Sequence, residues 1–195
     1  MVRVLAVNNY PSLERFWRLK NSLEANGAKV SVGGWRESSA KLFNGYDGVV
    51  LSGAPDMLSE ERTQRKFSAE AGAVIEARVP VLGICFGHQL IGRAFGSNVV
   101  KNGIHTLKFV ETEVLARDPL FAGLLGRMTV FESHHEAVET LPERFRLLAK
   151  SPSSAIATMR HSSLPIYGLQ FHPERNSPVK PDGNLVVSNF VRGLA

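Results

Sequence analysis

Cys85, the only cysteine of the 195-residue chain, stands at the centre of Gly83-Ile84-Cys85-Phe86-Gly87. The apolar run Val79-Pro80-Val81-Leu82 leads into it, and the helical-looking His88-Gln89-Leu90-Ile91-Gly92-Arg93-Ala94-Phe95 follows. A strand that turns sharply into a helix holds its turn residue in a strained backbone. Glycine is required two residues to either side, because a side chain there collides with the turn. A thiol on such an elbow stands at the carboxyl edge of a sheet, beside unpaired amide hydrogens and the positive end of a helix dipole. Both favour thiolate over thiol, so the chemistry expected is nucleophilic attack. A lone cysteine is most often a buried packing residue; the two flanking glycines set this one apart.

A nucleophile needs a base, and the base needs an orienting group. Six histidines compete. His88 is tethered on the elbow helix, where it cannot approach the thiol freely from the substrate side. His134 and His135 are adjacent and point to opposite faces of any extended segment, while His105 and His161 lie in polar, turn-like stretches. His172 closes the strand-like Pro165-Ile166-Tyr167-Gly168-Leu169-Gln170-Phe171 and precedes Pro173-Glu174. Residues two apart in a strand share a face, which puts Glu174 beside the His172 imidazole as the third member. Pro173 donates no ladder hydrogen bond and suits a strand end.

Gly83-Ile84-Cys85-Phe86-Gly87-His88-Gln89 together with Phe171-His172-Pro173-Glu174 resembles the class I (triad type) glutamine amidotransferases. Their glutaminase domain hydrolyses the side-chain amide of glutamine and passes ammonia to a synthase. Arg15-Phe16-Trp17-Arg18, Phe131-Glu132-Ser133-His134, Leu141-Pro142, Phe145, Leu148-Ala149 and the run from Pro165 to Glu174 are similar to the separate glutaminase subunits of archaeal GMP synthases. The resemblance implies a triad of Cys85, His172 and Glu174, with L-glutamine as substrate. A separate synthetase of the ATP-pyrophosphatase type, converting XMP to GMP, is the implied partner.

Each tetrahedral intermediate of such a reaction carries an oxyanion that needs two donors. The Phe86 amide, next after the nucleophile, is the elbow's own donor. The resemblance places the second in Leu51-Ser52-Gly53-Ala54-Pro55, with Gly53 at the substrate and the Ala54 amide at the oxyanion. Relatives read Ser-Gly-Gly-Pro in this loop. If the alanine amide must flip inward through a conformation alanine dislikes, the hole is strained in the free protein; if an ordinary conformation suffices, Ala54 serves. The resemblance also implies substrate contacts from Gln89, one helical turn past Cys85, and from Ser133 and His134, whose segment holds the α-carboxylate and amino groups. Without it, residues 133–136 read as a polar loop after a strand at 128–131. Two further departures are Asn8-Asn9-Tyr10, where relatives carry a Gly-Gly-Gln-Tyr-type loop, and the stretch 175–183, which lacks the usual His-Thr. Both loops lie where the resemblance puts the synthase.

Composition agrees. A chain 44% apolar can bury one sizeable core, and a single domain over residues 1–195 is expected. No signal-peptide pattern, membrane-length apolar run or metal-ligand spacing is read, and one cysteine suits a reducing cytoplasm. The net charge of +5 comes from 23 basic residues scattered among 18 acidic ones, without the basic block of a nucleic-acid binder. No phosphate-binding glycine loop is seen, so no cofactor is expected and nucleotide activation falls to another chain.

Strands are predicted at 2–7, 28–32, 47–51 and 79–84, with helices at 12–26, where Leu13, Phe16, Trp17 and Leu23 form a stripe, and at 60–77. Shorter alternating segments follow between 107 and 159, then a strand at 165–171 and a closing helix at 184–192. The fold class is α/β: an open, mostly parallel twisted sheet with helices on both faces and a small antiparallel extension. Other readings of the same triad are a glutaminase of another pathway, a stand-alone γ-glutamyl hydrolase, or a catalytically weak regulatory module of the same fold.

Overall fold

A computed structural model describes residues 1–124 and 126–195. The chain opens with strand β1 (Arg3–Asn8), helix α1 (Leu13–Ala25) and β2 (Lys29–Gly34), then a tight helical turn at Trp35–Glu37 and the short α2 (Ala40–Phe43). There follow β3 (Gly48–Leu51), α3 (Glu61–Lys66), α4 (Ser68–Glu76), β4 (Val81–Ile84) and α5 (Phe86–Ala94). The strands β5 (Val99–Val114), β6 (Arg127–Val138), β7 (Phe145–Ser151) and β8 (Ser154–His161) precede β9 (Ile166–Leu169) and α6 (Asp182–Arg192).

Among the described residues, nine strands form one sheet in the order β2-β1-β3-β4-β9-β8-β7-β5-β6. From β2 to β9 the neighbours are parallel; from β9 to β6 they are antiparallel. This is the expected α/β class. The antiparallel part is larger than the short segments expected, since β5 runs 16 residues and β6 12. It also curls back. Phe131 of β6 bridges to His172, just beyond β9, and the His172 N–H donates to the Phe131 carbonyl at 2.7 Å.

The parallel strands are apolar on both faces because helices cover both. Val4 and Ala6 of β1 join Phe16, Leu19 and Leu23 of α1 and Val187 and Phe190 of α6 in one cluster. Leu5 and Val7 point the other way, into a cluster with Val74 of α4 and Leu90 and Ile91 of α5. Two expectations need correction here. The stripe on α1 is Phe16, Leu19 and Leu23, while Leu13 and Trp17 are 46% and 43% exposed. They flank the buried row, and the Lys20 ammonium lies 5.3 Å from the Trp17 ring centre. The helix expected at 60–77 is two, broken at Phe67 (φ −102°, ψ 14°). The Phe67 ring is fully buried between Trp35 and Phe86, at centroid distances of 4.8 and 4.6 Å. That tertiary packing overrides helical continuity.

Candidate active site

Four chain segments meet at the carboxyl ends of the parallel strands, where an open α/β sheet offers a crevice. They are Asn8 to Tyr10 after β1, Ser52 to Ala54 after β3, Cys85 after β4 and Gln170 to Glu174 after β9. Cys85 has φ 51° and ψ −100°, a region costly for a residue with a side chain. Both flanking glycines are sterically required. A Cβ on Gly83 would lie 2.5 Å from the Gly87 carbonyl, and one on Gly87 would lie 2.7 Å from the Leu51 carbonyl oxygen. The strain is held by the sheet, for the Cys85 N–H donates to the Leu169 carbonyl at 2.7 Å. Helix α5 begins immediately after, with the Phe86 amide at its first position.

His172 Nδ1 lies 2.8 Å from Glu174 Oε1, the expected contact. However, β9 ends at Leu169 and Pro173-Glu174 form a turn closed by the Arg175 N–H on the His172 carbonyl, so a turn rather than strand alternation brings the two together. Burial alone depresses the imidazole. The Glu174 carboxylate, then the Cys85 sulfur through charge and hydrogen bond, outweigh it and push the pKa up to about 10. The ring is therefore an imidazolium at neutral pH, with Glu174 on one nitrogen and Cys85 in hydrogen-bonding reach of the ring. The thiol lies 3.5 Å from the Ser133 carbonyl, across from which Gln170 Nε2 reaches to 3.8 Å.

Cys85 opens on a cavity of about 670 Å³ whose wall includes Ala54, Gln89, Ser133, His134, His172 and Glu174. Ser133 and His134 lie within β6, paired with Leu107 and Thr106 of β5, rather than in a loop. The His134 side chain is tied up inside, 2.8 Å from Glu132 Oε2 and 3.1 Å from the Glu136 carbonyl. Gln89 donates to the Glu136 carbonyl at 2.8 Å, bracing β6 against α5. Gly53 is close to the imidazole: a Cβ there would lie 2.5 Å from the Tyr10 hydroxyl and 3.0 Å from His172 Cε1.

Ala54 is not strained. Among the described residues the non-glycine positions with positive φ are Cys85 and Arg144, so Ala54 has a backbone that alanine adopts freely. The strained-loop expectation has no support in this conformation.

His88, His134 and His135 sort as expected, whereas His105 and His161, read as lying in turn-like stretches, stand in β5 and at the end of β8, where His161 is buried. His88 is fully buried; burial, helped by nearby His134, pushes its pKa down to about 3, and Gly168 of β9 makes room for its ring. His135 points outward and stacks on His105 at 3.9 Å on the cavity rim. Sequence reasoning missed Gln170 and Tyr10. Gln170 stands two residues before His172, just past the end of β9, the same spacing of two that pointed to Glu174. Burial, with the negative charges of Glu174 and Cys85, holds the Tyr10 phenol above its ordinary range, so it stays a donor on the cavity wall. Arg15, Arg18 and Arg175 give the rim positive charge, Arg175 lying 3.9 Å from the Phe131 ring centre. Among the described residues no group of three His, Cys, Asp or Glu side chains is arranged to hold a metal ion.

An elbow cysteine, a histidine and a glutamate on the edge of a sheet of this order define a class of amide-transferring enzymes, and the chain belongs to the class-I glutamine amidotransferase family, whose model matches residues 5–194. It is 42% identical over 127 residues to a glutamine-hydrolyzing GMP synthase subunit of Thermococcus kodakarensis, a stretch spanning 65% of either chain. A protein of the same name from Methanosarcina acetivorans is 40% identical over 144 residues, 74% of this chain and 71% of that one. Among solved structures, a Thermoplasma acidophilum protein described as a candidate GMP synthase subunit superposes with a TM-score of 0.87 at 29% identity. The match covers 100% of this chain and 94% of that one.

Proposed function

We propose that this chain is a glutaminase subunit that hydrolyses L-glutamine and hands ammonia to a separate ATP-pyrophosphatase type synthetase, which converts XMP to GMP in the cytoplasm. The observation that carries the reading is a strained elbow cysteine beside an imidazolium held by Glu174, in a chain similar to glutamine-hydrolyzing subunits of GMP synthases.

In this mechanism the Cys85 thiolate attacks the amide carbon of glutamine. The tetrahedral oxyanion is met by the Phe86 and Ala54 amides, while Gly53, Gln89 and the Ser133-His134 backbone hold the amino-acid end. The C–N bond breaks as the His172 imidazolium gives its proton to the departing nitrogen, leaving ammonia and a thioester. Neutral His172 then takes a proton from water, and the hydroxide attacks the thioester. Collapse releases glutamate and regenerates the thiolate–imidazolium pair. Glu174 fixes the ring and stabilises its charged form.

No helix of the described residues is long and apolar enough to cross a membrane. Residues 1–195 act as a single domain in this reading. The test is glutamine hydrolysis by the chain alone and with a synthetase loaded with ATP and XMP. Low basal turnover, a rise on adding the partner, GMP formation, and loss of all three in Cys85→Ala are expected. Full turnover unchanged by any synthetase would favour a stand-alone γ-glutamyl hydrolase.

A further inference from the structure

Beneath the Ser52-Gly53-Ala54 loop lies a buried acid for which glutamine hydrolysis has no direct use. Glu70 of α4 has no exposed surface. Burial pushes its carboxyl up to about 8, with the Asn9 hydrogen bond opposing, so it holds its proton at neutral pH. Asn9, in the loop after β1, donates one side-chain hydrogen to Glu70 Oε1 at 3.1 Å and the other to the Ser52 carbonyl at 3.3 Å. Its backbone N–H donates to Ser52 Oγ at 2.9 Å, and that hydroxyl donates onward to the Gly53 carbonyl at 2.9 Å. Ser52 is thus held at its carbonyl and its hydroxyl by one residue, while its own N–H donates to the Val7 carbonyl at 3.1 Å.

A trans peptide is planar, and its C=O and N–H point in opposite directions. Fixing the Gly53 carbonyl on the Ser52 hydroxyl therefore fixes the direction of the Ala54 N–H. Glu70 Oε2 and Asn9 Oδ1 have no partner among the described residues. An orphaned buried carboxyl hydroxyl and an orphaned amide oxygen make the pair a weak device for stability, whereas two of Asn9's donors converge on the residue that sets the loop.

We propose that Glu70 and Asn9 are positioning residues: through Ser52 they hold the Gly53–Ala54 peptide so that its N–H meets the oxyanion. The proposal rests on the glutaminase reading of the site. It adds to that site two residues that do not line the cavity.

The test uses Glu70→Leu, Glu70→Gln and Asn9→Ala in the full chain, with sites counted by labelling Cys85 with a glutamine-mimicking electrophile. Glu70→Leu and Asn9→Ala should lower kcat per labelled site about tenfold or more while KM stays within about threefold, as loss of transition-state donation requires. Glu70→Gln keeps a neutral acceptor for Asn9 and should retain most of kcat. A merely structural role lowers the labelled fraction and leaves kcat per site intact, which overturns the proposal. The second readout needs no turnover. Amide hydrogen exchange at positions 9 and 52, whose N–H groups donate to Ser52 Oγ and to the Val7 carbonyl, should quicken about tenfold in Glu70→Leu and Asn9→Ala, with Val50 and Leu82 unchanged. Unaltered exchange at both positions overturns the proposal whether or not the protein hydrolyses glutamine. Faster exchange in these variants of a chain whose wild type lacks glutaminase activity supports the positioning and sinks the glutaminase reading alone.

Discussion

Two histidines on the cavity wall each carry a carboxylate two residues away at a nitrogen–oxygen distance of 2.8 Å; alternation within β6 makes the Glu132–His134 pair, and a turn beyond β9 makes the His172–Glu174 pair. Their surroundings differ. His134 has both ring nitrogens occupied, by Glu132 and by the Glu136 carbonyl, with Asn102 Nδ2 a further 3.3 Å from Nδ1. Ser153 donates to Glu132 as well. His172 has Glu174 on Nδ1, and its remaining reach is toward Cys85 and the cavity. A histidine–carboxylate contact is therefore no catalytic signature by itself. What fits the second pair, and not the first, to the proposed proton transfer is a ring nitrogen left over and a thiol within its reach.

The largest expected effect breaks the two pairs in turn. His172→Ala should cut glutamine turnover per folded molecule by roughly a hundredfold to ten-thousandfold, as loss of a general acid–base does. His134→Ala leaves the buried Glu132 carboxylate without one of its hydrogen-bonding partners, which should destabilise the fold by about 1–3 kcal/mol. Its turnover per folded molecule should stay within about tenfold of wild type if, as proposed, it is the backbone of β6 that holds the substrate. Denaturant titrations with active-site counting separate the two readouts. Equal losses per folded molecule would show that the closed pair also moves protons.

The same contrast governs what is legible in the sequence. Gly83 and Gly87 announce Cys85 because the steric demand of an elbow is local, and the spacing of two points to Glu174 once His172 is chosen, although a turn and not the strand delivers it. Alternation cannot say that His134 is closed off, because Asn102 and Ser153 come from distant parts of the chain and only the folded sheet gathers them. The Phe131–His172 bridge, which brings the open pair against β6, is likewise non-local. Phe67 breaks a helix that propensity supports because Trp35 and Phe86 capture its ring. On α1 the period of 3.6 is right, yet an apolar residue beside the buried row is indistinguishable in sequence from one within it. That is why the pattern turns Leu13 and Trp17 inward and the structure does not.

A smaller effect sharpens what Glu174 does for the open pair. The His172 pKa is raised from 6.5 to about 10 against burial, with Glu174 the first of the groups that raise it. A raised base adds stability that is complete below its unfolded value, near 6.5, and is lost as pH climbs through about 10. Activity that needs the imidazolium should follow the same upper limb. Glu174→Gln keeps a hydrogen-bonding side chain and removes the charge, so the alkaline limb of kcat/KM and of thermal stability should both move to lower pH. The loss of turnover at pH 7 should be less than in His172→Ala. An unmoved limb would mean that Cys85 and hydrogen bonding, not the carboxylate, set the ring's charge.

The smallest effect lies on the same open side, at the loop facing His172. Strain there is concentrated at Cys85, with φ 51°, and Ala54 carries none. If this conformation is the working one, Ala54→Gly removes no strain, and glycine has more freedom to lose on ordering, worth about 0.4–1 kcal/mol. Basal glutaminase activity should then be unchanged or slightly lower, and the factor by which a synthetase activates it should be the same in both proteins. A severalfold rise in basal rate with a smaller activation factor would show the opposite. It would mean that the peptide turns over on activation through a conformation glycine enters freely, and that the loop is a second strained element beside the elbow. Equal rates and equal activation ratios would leave the elbow as the strained element of the site.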